Sequence, residues 1–368
     1  MIKVIEVSSD TNIGGAGKCV LTLLENFDYT QFSVKAVLPK NSLLKPEVTA
    51  RGIEVIEVNG IADKSLDKTA IKELEAVFKR EKPDIVHTHG SMSARIAARR
   101  AGAKVVFTRH SVFEPSPRIS KGIGKLINGL VNSHYADGII AVAEAAKDNL
   151  TATGIPEKRI RVILNGVKGL KKADEKERAE IRKRFGAGNK KVVSIVARLE
   201  DIKGHEYFAE AADMLLNDGI DARFYIAGTG SYEETLKEKV RSMDRENDII
   251  FTGFIKDVDK LMNITDVQVN ASYGTEATSL ALLEGMSIGI PAVVSDFGGN
   301  PGVIKNNANG FIVPKQNSRA LYLKLKELLT NDRIYKKLSD GAVKIFNEKF
   351  TARAMTEQTE NLYKELVR

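Results

Sequence analysis

Ser272–Gly299 reads SYGTEATSLALLEGMSIGIPAVVSDFGG and holds two glutamates, Glu276 and Glu284, with seven residues between them. Ahead of it Val267, Val269 and Ala271 alternate, which predicts a strand ending in polar residues. Thr278 or Ser279 can cap a helix carrying Leu280, Ala281, Leu282, Leu283 and Met286. That helix is apolar on nearly every side, so burial is expected. Glu284 then becomes an oddity, because a carboxylate on a core helix is costly unless paired. Glu276 precedes the helix start, where free backbone N–H groups favour anions or hydroxyls. Gly285 and Gly289 would admit a close backbone neighbour. Alone, either glutamate reads as a surface residue or as the partner of a structural arginine. The spacing, the cap and the following GIPAVVSDFGG together point to a site.

The segment resembles the E-x7-E signature of retaining glycosyltransferases of family 4, and the resemblance runs over almost the whole chain. It implies an α/β architecture called GT-B: two Rossmann-like doubly wound domains facing each other across a cleft. Residues 1–167 would be the N-terminal, acceptor-side domain, with a C-terminal helix of about 352–368 packing back on it. Residues 168–351 would bind the nucleotide sugar. One departure is visible. Family members often continue GG-x-x-Glu after the strand, whereas here Gly298-Gly299-Asn300-Pro301 is followed by Gly302.

Composition agrees with two domains: the chain has 368 residues, an ordinary apolar fraction and no run of membrane-span length. MIKVIEVSS at the start reads as a strand rather than a signal peptide. Cys19 is the single cysteine, which rules out an intrachain disulfide and a Cys-rich zinc site. These features suggest the cytoplasm. The formal charge is +8, and residues 1–165 hold 24 Lys/Arg against 18 Asp/Glu. That balance suits anionic small molecules or an anionic membrane surface. No zinc finger, RNP motif or Lys/Arg-rich tail is present, and aromatics are few, so nucleic acid is not an expected partner.

The first half alternates short apolar strands with helical patterns, which predicts a parallel sheet with ligands beyond the strands' carboxyl ends. Strands are expected at Lys3–Val7, Ser33–Val37, Glu54–Val58, Ile85–Thr88, Val105–Thr108 and Gly138–Val142. After the first comes Asn12-Ile13-Gly14-Gly15-Ala16-Gly17-Lys18. It is not a Walker A loop, because Asn12 and Cys19 stand where Gly and Ser/Thr are needed, and it lacks G-x-G-x-x-G. It reads equally as a tight turn or as a phosphate- or sugar-facing loop; the resemblance makes Gly15 and Gly17 contacts of donor or acceptor. His87 and His89 lie on one face of a strand without a third ligand nearby in sequence, and are expected to be hydrogen-bonding residues rather than a metal site. His110 follows the next strand in Thr108-Arg109-His110. A strand-end histidine is more often structural, but the resemblance implies that His110 bonds the donor sugar near its 6-hydroxyl. Over residues 118–135, Ile119, Ile123, Leu126, Ile127, Leu130 and Val131 repeat at helical spacing, with Arg118, Lys121 and Lys125 off the stripe. The plain expectation is a packed helix with a solvated face; the alternative is docking on anionic lipid.

Asn165-Gly166-Val167 closes the first half, and no internal repeat follows. Val192–Ala197 starts the second sheet and leads to Arg198, then Lys203. Two cations near a strand end are ordinarily surface ion-pair partners; in the family's R-x4-K pattern they grip the donor diphosphate. The resemblance further implies that Gly228, Phe254 and Ile255 border the nucleobase. It implies that Glu284 holds the ribose, that Glu276 holds the sugar's 3- and 4-hydroxyls, and that Thr278, Ser279 and Leu280 offer backbone N–H groups. Asp257-Val258-Asp259 mimics a metal-binding D-x-D but begins a helix, where acidic residues are common. No metal and no cofactor are expected. The implied reaction is retaining transfer of a sugar from a nucleotide diphosphate, UDP before GDP, to an unidentified acceptor hydroxyl. Two rivals share the architecture: a nucleotide-sugar 2-epimerase, which needs no acceptor, and a non-catalytic binding protein.

Overall fold

The computed structural model describes residues 1–62 and 64–368. The chain divides into two compact units, Met1–Val167 with Thr351–Arg368, and Lys168–Phe350.

The first unit is built on seven strands: β1 (Ile2–Ser8), β2 (Phe32–Pro39), β3 (Val55–Val58), β4 (Ile85–His89), β5 (Lys104–Arg109), β6 (Gly138–Ala141) and β7 (Ile160–Val162). They run parallel in the order β3-β2-β1-β4-β5-β6-β7. Strands buried on both faces read as apolar runs rather than alternations, as Val105-Val106-Phe107 of β5 and Ile139-Ile140 of β6 show. Chain order reverses between β1 and β4, which are adjacent while their successors lie on opposite sides. Ligands of doubly wound sheets bind at such a switch point. The C-terminal helix Ala352–Val367 begins at Thr351, whose side chain accepts from the Ala354 N–H. It places Met355, Leu362 and Tyr363 in the core with Val4, Val20 and Leu24.

The second unit repeats the plan with β8 (Lys191–Val196), β9 (Ala222–Ala227), β10 (Ile249–Gly253), β11 (Val267–Asn270), β12 (Ala292–Ser295) and β13 (Gly310–Val313). The order is β10-β9-β8-β11-β12-β13, all parallel, so the switch point falls between β8 and β11. Phe208, Phe224, Ile226, Val269 and Leu325 fill its core.

One expectation is overturned. The stretch 118–135 is two helices, Pro117–Ser120 and Gly122–His134, and the apolar stripe of the second faces solvent. Ile123, Leu126 and Leu130 are 76%, 62% and 63% exposed, and Ile119, Ile127 and Val131 are exposed as well. The helix docks by its small and polar face instead. Gly129 lies so near the Gly154 carbonyl that an added Cβ would stand 2.0 Å from its oxygen. Asn128 Nδ2 donates to the Thr153 carbonyl (2.7 Å), and buried Arg95 donates to Asn132 Oδ1 (2.9 Å) and to the carbonyls of Asn132 and Tyr135. Periodicity reveals that two faces differ; it does not say which one meets the protein. Among the described residues no helix is long and apolar enough to cross a membrane.

Candidate functional site

In the second unit, residues singled out from sequence fall at the carboxyl ends of four neighbouring strands. β8 runs on into Ala197, Arg198 and Leu199. The N–H groups of Ala197 and Leu199 bond the carbonyls of Ala227 and Thr229 (3.1 and 3.0 Å). The Arg198 side chain is exposed, and its guanidinium bonds Glu200 Oε1 at 2.6 Å. A short 3-10 turn, Asp201–Lys203, follows and ends at Gly204 (φ +70°). Only glycine serves there: the conformation is left-handed, and a Cβ would lie 2.2 Å from the Ala271 carbonyl oxygen.

That close approach brings Lys203 to the loop after β11. Lys203 Nζ donates to the Thr275 carbonyl at 2.6 Å and to Glu276 Oε2 at 3.2 Å. The same oxygen accepts from Asn270 Nδ2 (3.1 Å) and Ser272 Oγ (3.3 Å). The two charged side chains are only 12% and 10% exposed. The loops are tied further by the Tyr273 N–H on the Ile202 carbonyl (2.9 Å) and by the Tyr273 hydroxyl on Asp201. Lys203 and Glu276 therefore meet across the β8/β11 switch point.

Behind this pair lies a layer that sequence reasoning did not single out. Asn300 Nδ2 reaches Ser295 Oγ (3.0 Å) and Asn270 Oδ1 (3.4 Å), so buried Asn300 steadies the residue that holds Glu276. It stands in the segment where the chain departs from GG-x-x-Glu. The Gly299 N–H bonds the Glu276 carbonyl at 3.0 Å, and a Cβ on Gly299 would lie 1.6 Å from the Ala277 oxygen. The one available signal was the polar end of β11, Asn270 and Ser272.

Ser279, not Thr278, caps the helix Leu280–Ser287, accepting from the Leu282 N–H. Leu280 is thus its first residue. Glu284 is half-buried rather than enclosed; the buried face is Leu282, Leu283, Gly285 and Met286. Gly285 and Gly289 face the side chains of Gln268 and Ser339 rather than another backbone at closest approach. Gly228 follows β9 with its Cα against the Ala197 carbonyl. Phe254, after β10, is exposed, and Ile255 packs on the cluster of Ile181, Tyr225 and Leu261. Asp257 pairs with Lys260 at 2.8 Å, and Asp257 and Asp259 are both exposed.

In the first unit, Gly15 opens the helix Gly15–Asn26 and is exposed, with open space around it. Gly17 is buried, with its Cα facing Leu44. His110 lies just past β5, half-buried, with Nε2 2.7 Å from His89 Nδ1. His89 Nε2 meets Glu6 Oε2 at 2.7 Å. The third potential ligand beside His87 and His89, absent from their neighbourhood in sequence, is thus Glu6, brought in by the pairing of β1 with β4. Burial opposes the Glu6 charge, but the adjacent His87 and His89 outweigh it and hold the carboxyl well below the usual range.

A doubly wound sheet that sets a lysine and a carboxylate at its switch point is the architecture of a ligand-binding α/β enzyme. The model for glycosyl transferases group 1 matches residues 177–344, and that for Glycosyltransferase Family 4 matches residues 13–168. A UDP-Gal:alpha-D-GlcNAc-diphosphoundecaprenol alpha-1,3-galactosyltransferase of Escherichia coli is 30% identical over 324 residues, 82% of this chain and 80% of that one. Among solved structures, a glycosyltransferase from Rickettsia africae superposes with a TM-score of 0.86 at 21% identity, covering 100% of this chain and 99% of the other. Anabaena HepE in complex with UDP and glucose superposes with a TM-score of 0.87 at 19% identity, covering 99% and 100%. The chain belongs to glycosyltransferase family 4 and has the two-domain GT-B fold.

Proposed function

We propose that this glycosyltransferase moves a hexose from a UDP-sugar to a hydroxyl of a polyprenyl-diphosphate-linked acceptor, with retention and without a metal. The pairing of Lys203 with Glu276 carries the reading. A mostly enclosed cation beside a carboxylate offers one group for a diphosphate and one for sugar hydroxyls, already oriented by each other. UDP in the HepE structure and the UDP-Gal donor of the Escherichia coli relative support the donor. The relative's diphosphoundecaprenol acceptor supports the lipid carrier.

In this reading Arg198 and Lys203 stabilise the charge that builds on the leaving diphosphate, and no divalent ion is required. Glu276 accepts hydrogen bonds from the sugar's hydroxyls. Glu284 accepts them from the ribose, and Phe254 and Ile255 border the base with Gly228. The bond from C1 to the phosphate oxygen breaks, the acceptor oxygen bonds C1 on the same face, and the leaving phosphate takes the acceptor's proton. The deciding experiment is a donor screen with purified protein and a lipid-diphosphate acceptor, reading the product's anomeric coupling by NMR. An α-linked product from an α-donor in the presence of EDTA is expected. An inverted product or chelator-sensitive turnover refutes the mechanism, and epimerised donor without acceptor refutes the transfer.

The partner surface rests on the helix Gly122–His134. Five large aliphatics face solvent there, and no acidic residue lies between Glu114 and Asp137, while Arg118, Lys121 and Lys125 do. An apolar stripe rimmed only by cations complements the interface of an anionic bilayer. In this reading the enzyme works at the inner face of a membrane, where a lipid-linked acceptor is met.

A further inference from the structure

In the second unit β11 and the residues just after it alternate by chemistry. Val267, Val269 and Ala271 belong to the apolar core. Gln268, Asn270 and Ser272 share the opposite face, and all of them are buried. A buried polar face is costly unless its groups are paired. Gln268 is spent on structure: its Nε2 donates to the carbonyls of Leu282 (3.0 Å) and Ile290 (3.4 Å). Asn270 and Ser272 both donate to Glu276 Oε2 instead. Behind them stand Ser295 and Asn300, buried as well.

The protons of this cluster can be placed one after another. A carbonyl only accepts, so the single hydroxyl proton of Ser295 goes to the Ser272 carbonyl (2.5 Å). Ser295 Oγ must then accept, and the group facing it at 3.0 Å is the Asn300 amide nitrogen. The same NH2 faces Asn270 Oδ1 at 3.4 Å, and the Ser272 N–H, which only donates, faces that oxygen at 3.1 Å. Two donors on one side fix the Asn270 amide: its oxygen is turned to them and its NH2 to Glu276 Oε2 (3.1 Å). The arrangement has a cost. Asn300 Oδ1 is buried and takes no donor among the described residues. Turning that amide over would set its oxygen against Ser295 Oγ and Asn270 Oδ1, neither of which has a proton to give. A bare buried acceptor lowers stability, so the reason for Asn300 lies in what its nitrogen holds.

Glu276 is the end of this chain of bonds. Its Oε2 meets three donors, Lys203 Nζ, Asn270 Nδ2 and Ser272 Oγ, at 3.2, 3.1 and 3.3 Å. Its Oε1 meets none among the described residues and is not enclosed. A carboxylate held by Lys203 alone could swing about that one ion pair and turn either oxygen outward. Asn270 and Ser272 remove the freedom. We infer that Asn270 and Asn300 are positioning residues for sugar transfer: Asn300 sets the Asn270 amide, and Asn270 pins Glu276 Oε2 so that Oε1 alone is offered to the ligand. This rests on the reading that Glu276 accepts hydrogen bonds from the donor's hexose. The grip on the sugar is then through one oxygen, whose lone pairs take hydroxyl protons. Misplacing such a group costs rate more than affinity. UDP by itself has no hexose and does not need the chain of bonds.

The test uses the full chain, calorimetry with UDP, and turnover of UDP-galactose and UDP-glucose with a lipid-diphosphate acceptor. Asn270→Ala is expected to lower kcat by roughly ten- to a hundredfold, with KM and UDP affinity little changed. Asn300→Ala leaves every donor on Glu276 in place and should show a smaller loss of the same kind. The deciding comparison is a double-mutant cycle. In a Glu276→Ala background Asn270→Ala should cost nothing further, because there is no carboxylate left to position. The same cycle with Asn300→Ala takes its place where Asn270→Ala does not fold. An equal loss in both backgrounds, or a loss of UDP affinity matching the loss in kcat, means that the amides only hold the fold and overturns the inference. Full turnover in Asn270→Ala beside an impaired Glu276→Ala overturns it too, and leaves the contact of Glu276 with the hexose standing. Unchanged turnover in Glu276→Ala is the opposite result: it removes that contact, and the positioning falls with it.

Discussion

Lys203 and Glu276 have little water to screen them, so each depends on the other more than a surface pair would. Truncating Glu276 leaves Lys203 with the Thr275 carbonyl and frees its charge for a diphosphate. Glu276→Ala is therefore expected to lower turnover by about a hundredfold or more while UDP binding holds or tightens. Lys203→Ala should weaken both and lower stability, because a carboxylate with little exposure is left unpaired. Calorimetry with UDP beside turnover measures the difference; equal turnover in Glu276→Ala and wild type would refute its contact with the sugar. Gly299 tests the support of the same loop. A Cβ there collides with the Ala277 backbone, so Gly299→Ala is expected to cost on the order of 2 kcal/mol or more and to reduce activity with it. A thermal melt matching wild type would show that the loop yields without effect. Lys203 was singled out through the family's R-x4-K pattern, Glu276 through E-x7-E, and Ser279 as one of two possible caps. Asn300 and Glu6 were not. Asn300 reaches Asn270 thirty residues away, and Glu6 meets His87 only because β1 lies beside β4. Spacing along the chain does not display strand order.

Elements with a chemical stop at each end have sharp bounds. The helix Glu175–Phe185 runs from the Asp174 cap to left-handed Gly186. Ala352–Val367, expected at about 352–368, starts at its Thr351 cap. Six strands of the first unit were expected within two residues of their places, because short apolar runs mark them, whereas the three-residue edge strand β7 was not expected, being too short and too polar at Arg161 to show a pattern. The helix Gly122–His134 misled because apolar stripes are assumed to face inward. Its geometry reverses the usual mutational order. Replacing Ile123, Leu126 and Leu130 with serine removes no packing, and the melting temperature should not fall. Gly129→Ala pushes a methyl into the Gly154 carbonyl and should lower stability by about 2 kcal/mol or more. In flotation, the wild type should bind anionic vesicles at least tenfold better than neutral ones, and the triple serine variant should lose that binding. A triple variant that melts early would mean the stripe is covered in the protein. Negligible wild-type binding to both vesicle types would exclude the bilayer as its partner.

At the scale of the molecule, both units keep a histidine neutral by burial, and acid acts on both. His89 in the first unit and His205 in the second are each pushed down to about 4, burial being the largest cause in both, with His87 adding to the first and Lys203 to the second. A histidine whose folded pKa lies below its unfolded value binds fewer protons folded than unfolded between the two. Stability therefore falls as the pH drops from about 6.5 towards 4. Glu6 works in the same direction at lower pH: its stabilising contribution is present above the unfolded carboxylate value and is lost as the pH falls towards its depressed folded value. By pH 5 carboxylates of ordinary pKa are still largely ionised, and each histidine accounts for a loss of about 2 kcal/mol. The expected outcome is a clear drop in melting temperature between pH 7.5 and pH 5 at constant ionic strength, reversed on neutralisation. His205→Gln, which cannot titrate, should flatten part of that slope even if it melts earlier throughout. A melting temperature that is level or rising as the pH falls through this window would mean that the buried imidazoles take up protons without opposing the fold.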